Sequence, residues 1–294
     1  MYDTSRRLML LLIMACPLAA GCKNLFATSD APRNVGNFHR PGSSAEMVNL
    51  LNRNSQQINS LESDFVDITV TQNGQPFGLK GRLAYQKDRN FRMTASAIAS
   101  TEADLGSNAN EFWFYMKRND PPDLFFCAYE DLPHAQIKLP LQPDWIAEAL
   151  CVHSMNPAEY EMREVKGGYE LVKRINHQGE QLYKGVLVAS SGPNAGRVVL
   201  YRLFRANGPE VWRAEIGEYQ LEKDIGRYTL PYQVKISCPE HKVVIEMKLK
   251  DCKVNQLAAG PQLFQRPQGY RSQDLAKINP GSVPGGPITR VGGQ

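Results

Sequence analysis

The chain has no apolar run long enough to cross a membrane as a helix. Its longest, Leu8 to about Gly21, falls short of the roughly 20 residues a bilayer core requires. Nor is there an excess of one charge. The 34 Lys+Arg stand against 30 Asp+Glu, and the formal net charge of +4 is spread along the chain. No basic block occurs, so nucleic acid is not an expected partner. The histidines His39, His134, His153, His177 and His241 are scattered, and no pair has zinc-ligand spacing. There is no Cys-x-x-Cys, no G-x-S-x-G elbow and no phosphate-loop pattern. The segment "VASSGPNAG" reads as a turn, not a nucleophile site. In "YEDLPH", Glu130, Asp131 and His134 read as a solvated loop, with a cation site as the alternative. A non-enzyme without metal or cofactor is the expectation. No internal repeat is present.

What is there begins at the N-terminus. Arg6 and Arg7 precede the short apolar run, which ends in small residues. This is the layout of a secretory signal; the twin arginine is also a loose match to the folded-protein export route. "LAAGC", Leu18 to Cys22, resembles a bacterial lipobox, whose cysteine is lipidated before cleavage ahead of it. An ordinary cleaved signal is the alternative. Lipidation anchors a chain where secretion alone would not, since acyl methylenes each contribute about 0.8 kcal/mol when buried. Lys23, where Asp would signal inner-membrane retention, favours the outer membrane on its periplasmic face; the inner membrane and the cell surface stay open.

Four cysteines remain for the exported domain: Cys127, Cys151, Cys238 and Cys252. In an oxidising compartment they allow two bridges, expected as Cys127–Cys151 and Cys238–Cys252, or four buried thiols. A hairpin around "PEHK" would put Cys238 opposite Val243, which counts against the second bridge.

The organisation follows from composition. Residues 1–21 read as the signal peptide and 22–43 as the lipidated cysteine with a polar tether. Residues 44–270 form the domain. Residues 271–294, rich in Pro and Gly with little to bury, read as a disordered tail. A helix is expected after the tether, capped by Ser43 or Ser44, with Met47, Leu50, Leu51, Ile58 and Leu61 on one face. The apolar period then becomes two: Val66, Ile68, Val70; Leu79, Leu83, Tyr85; Phe91, Met93. It returns in "NEFWFYMKR", "DLFFCAY", "YELVKRI", "QLYKGVLVA", "RVVLYRLFR", "VWRAEIGEYQL", "LPYQVKIS" and "HKVVIEMKLKD". Turn formers at short intervals make these an antiparallel meander, closed or nearly closed. "LQPDWIAEALCVH" interrupts it with a short helix carrying Trp145, Ile146 and Leu150. One apolar sheet face needs a cover, and the two helices supply it.

Several segments, in order, resemble the lipoprotein-sorting family of LolA and LolB. They are the helix ending "INSLESDF", the strand pair "GRLAYQKDRNFRM", the strand "EADLGSNANEFWFY" and the closing "LFQRPQGY", together covering Ser44 to Tyr270. The resemblance implies an unclosed antiparallel barrel, mainly β, with a helical lid over an apolar cavity for acyl chains. It places a lid contact at Lys87, where the family has arginine; lysine lacks the planar fork. The anchor is of the acceptor kind and the motifs of the carrier kind, with no exposed leucine loop evident.

The expected function is a lipid-anchored periplasmic module holding acyl chains of lipoproteins or lipids. Candidate lining residues are Val66, Ile68, Leu83, Phe91, Met93, Phe112 and Phe114, with Trp145 and Ile146 from the lid. The rival is a structural or interaction lipoprotein of the same fold, binding other envelope proteins. A cavity of several hundred Å³ favours carriage, on the order of the 300 Å³ and more of ligand pockets; a filled interior favours the rival.

Overall fold

A computed structural model describes residues 38–278, apart from 99, 120, 136, 139–141, 178–179, 207, 223–227 and 259, together with 289–290. The signal segment, Cys22 and nearly all of the tether lie outside the described residues.

The elements in chain order are α1 (Ser44–Ser55), β1 (Ser60–Gln72), β2 (Gln75–Gln86), β3 (Asn90–Ala97), β4 (Ser100–Ser107), β5 (Glu111–Met116), β6 (Leu124–Ala128), β7 (Ile137–Lys138) and α2 (Pro143–Ala149). There follow β8 (Glu161–Val165), β9 (Gly168–His177), β10 (Glu180–Ala189), β11 (Val198–Phe204), β12 (Glu210–Glu222), β13 (Tyr228–Cys238), β14 (Val243–Val254), β15 (Ser272–Asp274) and β16 (Thr289–Arg290).

Fourteen of these strands form one sheet in the order β15, β6, β5, β4, β3, β2, β1, β14, β13, β12, β11, β10, β9, β8. Two meanders meet where β1 pairs with β14. The sheet does not close, because β15 and β8 are its two margins. This is the unclosed antiparallel half-barrel that the alternating pattern and the family resemblance imply. It is strongly curved: α2 touches β3 and β4 on one wall and β12 on the other, although these strands are far apart in strand order.

Ser43 caps α1, accepting a hydrogen bond from the Glu46 N–H at 3.2 Å, while Glu46 Oε2 accepts from the Gly42 N–H at 2.7 Å. A first-turn donor is thus satisfied by the cap side chain, and Glu46 ties the entering chain to the helix. The helix ends at Ser55, so Ile58 and Leu61, expected on its face, lie in the following turn and in β1. Its buried face is Met47, Val48, Asn52 and Ser55. Asn52 makes a reciprocal pair with the Met155 backbone, donating at 2.7 Å and accepting at 2.8 Å, and Ser55 meets the Ser154 hydroxyl. Polar anchors of this kind carry no apolar period, which is why the spacing pointed past the end of the helix.

In α2, Pro143 occupies the first turn, where its missing N–H costs nothing, and Asp144 suits the positive helix end. Trp145, Ile146, Ala147 and Ala149 are buried in the main core. The helix therefore sits within the trough as part of its filling.

The domain runs past Tyr270. Ser272–Asp274 pairs in parallel with Leu124–Phe126, Leu275 is fully buried, and Arg271 forks onto Asp123 at 2.7 and 2.6 Å. Disorder expected from 271 is thus corrected for residues 271–278. The outer face of β5 carries Trp113 and Tyr115, too apolar to leave wet, and this segment covers it: Tyr270 lies 4.4 Å from Tyr115, and the Arg266 guanidinium lies 3.6 Å over Phe126.

All four domain cysteines are thiols, so neither expected bridge is present. Cys127 packs with Phe112, Phe114 and Phe125, whereas Cys151 Sγ lies 3.2 Å from the Tyr219 hydroxyl. Cys238 pairs in register with Val243. From there β14 extends roughly 30 Å to Cys252 at about 3.4 Å per residue, and a bridge needs Cα atoms within about 7 Å.

Candidate functional site

The concave face is apolar along continuous cross-strand rows. Leu83 faces Met93, Met93 faces Leu105, Leu105 faces Phe114, and Phe114 stacks on Phe125 at 5.2 Å. One row towards the Asn73–Gly74 turn, the residues shrink: Gly81 faces Ala95, and Ala95 faces Ala103. A row of small side chains between larger ones leaves a hollow, because no atoms fill the layer above it. Ile68 leans into part of the space, its Cδ1 lying 2.7 Å from where a Cβ on Gly81 would stand.

The result is an apolar groove of about 110 Å³. Ile68, Val70, Phe77, Leu79, Met93, Ala95, Ala103, Leu105, Phe114, Met116, Cys238, Val243 and Ile245 line it, with Gln72, Glu102 and Arg118 as polar groups. Its place follows from the register. β1 starts beside α1 at Ser60, and the groove lies towards its other end, where Val70 faces Phe77 and Ile245. The helices fill one end of the trough; the groove occupies the other.

Three of the expected lining residues, Ile68, Met93 and Phe114, are in this groove. Val66, Leu83, Phe91, Trp145 and Ile146 belong to the packed core next to α2. Phe112 belongs to a smaller cluster with Phe125, Cys127 and Leu275. For these six, the expectation of an open cavity wall is corrected: the first five are closed within the main core, to which α2 contributes Trp145 and Ile146, and Phe112 is closed by Phe125, Cys127 and Leu275. The groove is also smaller than the several hundred Å³ expected of a carrier. A larger depression of about 710 Å³ lies around the exposed Phe65 and is lined by Asp64, Asp67, Lys80, Arg82 and Lys250. It is charged and open, unlike the expected hollow. Another of about 240 Å³ beside α2 is polar, lined by Glu148, His153, Lys173 and Lys184 among others.

Lys87 donates through Nζ to the Gln56 carbonyl at 2.9 Å, where Gln56 caps the C-terminal end of α1. The contact to α2 comes instead from Arg89 in the same turn, which sequence reasoning missed. Its guanidinium lies 4.1 Å over the Tyr129 ring and 3.8 Å from Asp144, and the Tyr129 hydroxyl donates to Asp144 at 2.8 Å. Burial beside the Asp144 charge drives the Tyr129 pKa upward, so the phenol stays a donor. Lys184 of β10 meets Glu148 of α2 as an ion pair, so α2 is tied polar-wise to both walls. A second cation in the turn, after Lys87, was the available signal.

Among the described residues no group of His, Cys, Asp and Glu is arranged to hold a metal ion. Glu130, Asp131 and His134 do not form one. Among them, too, no helix is long and apolar enough to cross a membrane.

No protein-family model and no curated protein matches the chain. Solved structures do. A DUF1329 family protein from Desulfovibrio piger is 8% identical with a TM-score of 0.47, over 76% of this chain and 95% of that one. A candidate outer membrane lipoprotein-sorting domain from Vibrio parahaemolyticus is 7% identical with a TM-score of 0.46, over 75% and 97%. A LolA superfamily protein from Nitrosomonas europaea is 10% identical with a TM-score of 0.46, over 74% and 96%. At these values the likeness is one of general architecture.

Proposed function

We propose that the chain is a lipid-anchored envelope protein that takes acyl chains of lipoproteins or lipids into the open apolar end of its half-barrel. It acts by binding, without covalent chemistry, at the periplasmic face of the outer membrane. The observation that carries this reading is the groove: apolar walls from five neighbouring strands and from β13 and β14, with polar groups few. Burying chain surface there supplies roughly 25 cal/mol per Å². As it stands, 110 Å³ receives only the end of a chain. A longer segment requires α2 to shift, which would continue the groove along Met93 and Leu105 towards Phe91 and Leu83.

The β3–β4 hairpin, at the groove end of the trough, holds Ile98 fully exposed. An exposed aliphatic tip beside an apolar mouth suits a lipid surface. Membrane attachment itself rests on Cys22: Cys22→Ser is expected to move the chain from the membrane to the soluble fraction.

Native mass spectrometry of the purified full-length chain tests the binding reading. Co-purified or loadable lipid, lost on Ala103→Leu, supports it; no adduct under any loading condition overturns it. The filled end of the trough favours a second reading, a non-carrier interaction lipoprotein of the same fold. That reading predicts protein partners in envelope cross-linking and no lipid.

A further inference from the structure

We infer that the groove prefers acyl chains bearing an anionic head, and that Arg118 is the residue that selects them. The inference rests on the acyl-binding reading above and names its ligand class. Three observations combine. The Arg118 guanidinium lies 4.1 Å over the Phe77 ring, and Phe77 is itself a groove wall. This stacking fixes a permanent cation at the apolar surface where a head group would emerge. Glu102, the carboxylate at the same place, is already served: Ser100 donates to it at 2.7 Å, Lys117 at 3.3 Å, and Arg118 Nε stands 3.7 Å away. The serine bond and the two cations hold its pKa below the usual carboxylate range, so it stays charged.

The arithmetic of the mouth is therefore two cations to one carboxylate, one net positive charge. The 3.7 Å separation is beyond hydrogen-bond reach. Among the described residues, then, the planar fork of Arg118 is not engaged bidentately by any carboxylate. A fork held flat on an aromatic ring, with N–H donors still to place, matches the acceptor oxygens of a carboxylate or phosphate group. A neutral head gains nothing from it. Binding an anion adds its charge to a site with Glu102 present, so Glu102 limits the gain; removing that charge should raise affinity for anionic ligands.

The anionic head has two chemical sources, a fatty-acid carboxylate and a lipid phosphate. The experiment measures affinity of the full-length chain for hexadecanoate, a lysophosphatidylglycerol of the same chain length and hexadecanol, by quenching of intrinsic fluorescence and by native mass spectrometry. Expected is about tenfold tighter binding of one or both anions than of the alcohol, the scale of a charge-assisted contact. Arg118→Gln should abolish that preference, read as the ratio of anion to hexadecanol affinity within each variant, Arg118→Lys should restore part of it, and Glu102→Gln should widen it. The preference should shrink in high salt, because the cation is half exposed. Equal binding of all three ligands, or a preference untouched by Arg118→Gln, overturns the inference and leaves the acyl-binding reading standing. Failure of every ligand to bind overturns both.

Discussion

Trp145 on α2 and Trp212 on β12 meet with ring centroids 5.6 Å apart and planes inclined at 51°. Both are buried, and tilted rings at this distance add to the area term. Trp212→Ala removes the largest side chain on that wall and leaves a cavity against α2. The expected loss is about 3–5 kcal/mol of unfolding free energy, read by urea denaturation. Trp212→Phe should lose less than half of that. A loss below about 1 kcal/mol for the alanine variant would mean that α2 does not pack there in solution.

The hollow lies over Ala95 and Ala103, which are small, while Ile68 fills the space at Gly81. Ala103→Leu puts added methyl groups into the groove, which is open enough to receive them. Its stability should stay within about 1 kcal/mol of the parent, since burying methylenes offsets mild crowding. Acyl-chain binding should fall at least tenfold. Unchanged binding at unchanged stability would place the ligand elsewhere.

Acid should weaken the fold below neutrality. Burial lowers the His153 pKa, and the same cause lowers that of His241. His153 Nε2 is buried with no hydrogen-bond partner, and its ring lies 5.5 Å from Tyr85. Glu148 and Asp144 on α2 oppose the shift, while Lys184 on β10 and Arg89 in the β2–β3 turn reinforce it. A histidine with a lowered folded pKa takes up its proton more readily when unfolded. Its contribution is complete above its ordinary value near 6.5 and is lost as pH falls through the folded value. Denaturation midpoints should therefore drop between pH 7 and pH 5, and His153→Gln should flatten the slope. A flat profile in the parent chain refutes this.

Thiol chemistry supplies another check. Burial pushes Cys127 and Cys151 up to about 11 and Cys238 up to about 12. Thiolate is the reactive form, so these three should resist iodoacetamide at pH 8 in the folded protein and react on unfolding in urea. Reductant should leave the thermal midpoint unchanged. A midpoint that falls by several degrees on reduction would indicate a bridge.

Much of the fold was legible because the alternation in "FVDITV" or "VVIEMKLK" leaves a strand little choice of face. The strands without that signal were missed or blurred: β8, "EMREV", is a charged margin, and β15, "SQD", is held by its neighbour's backbone and by Leu275 behind it. The groove was half legible. Ile68, Met93 and Phe114 announce a buried face, but periodicity gives the face and not its occupant. Val66 and Leu83 carry the same pattern and are closed within the core, outside the groove. What separates the two sets is depth along the trough, fixed by where a seven-residue helix comes to rest. The vacancy itself lies over Ala95 and Ala103, residues an apolar pattern passes over. Arg89 was hidden for a related reason: an arginine in a turn is ordinary until Tyr129 and Asp144 arrive from distant sequence.

The margins at β8 and β15 carry a mechanical consequence. A sealed barrel can widen only by breaking backbone ladders, all at once around its girth. Here the walls can spread like the covers of a book hinged along its spine, with every ladder intact. Resistance then comes from contacts between the walls and their filling, among them the Trp145 and Trp212 rings, the Glu148 and Lys184 charges and the Arg89 clasp. The molecule is stiff along its strands and more compliant across them, and the contacts of α2 are among those that limit its gape.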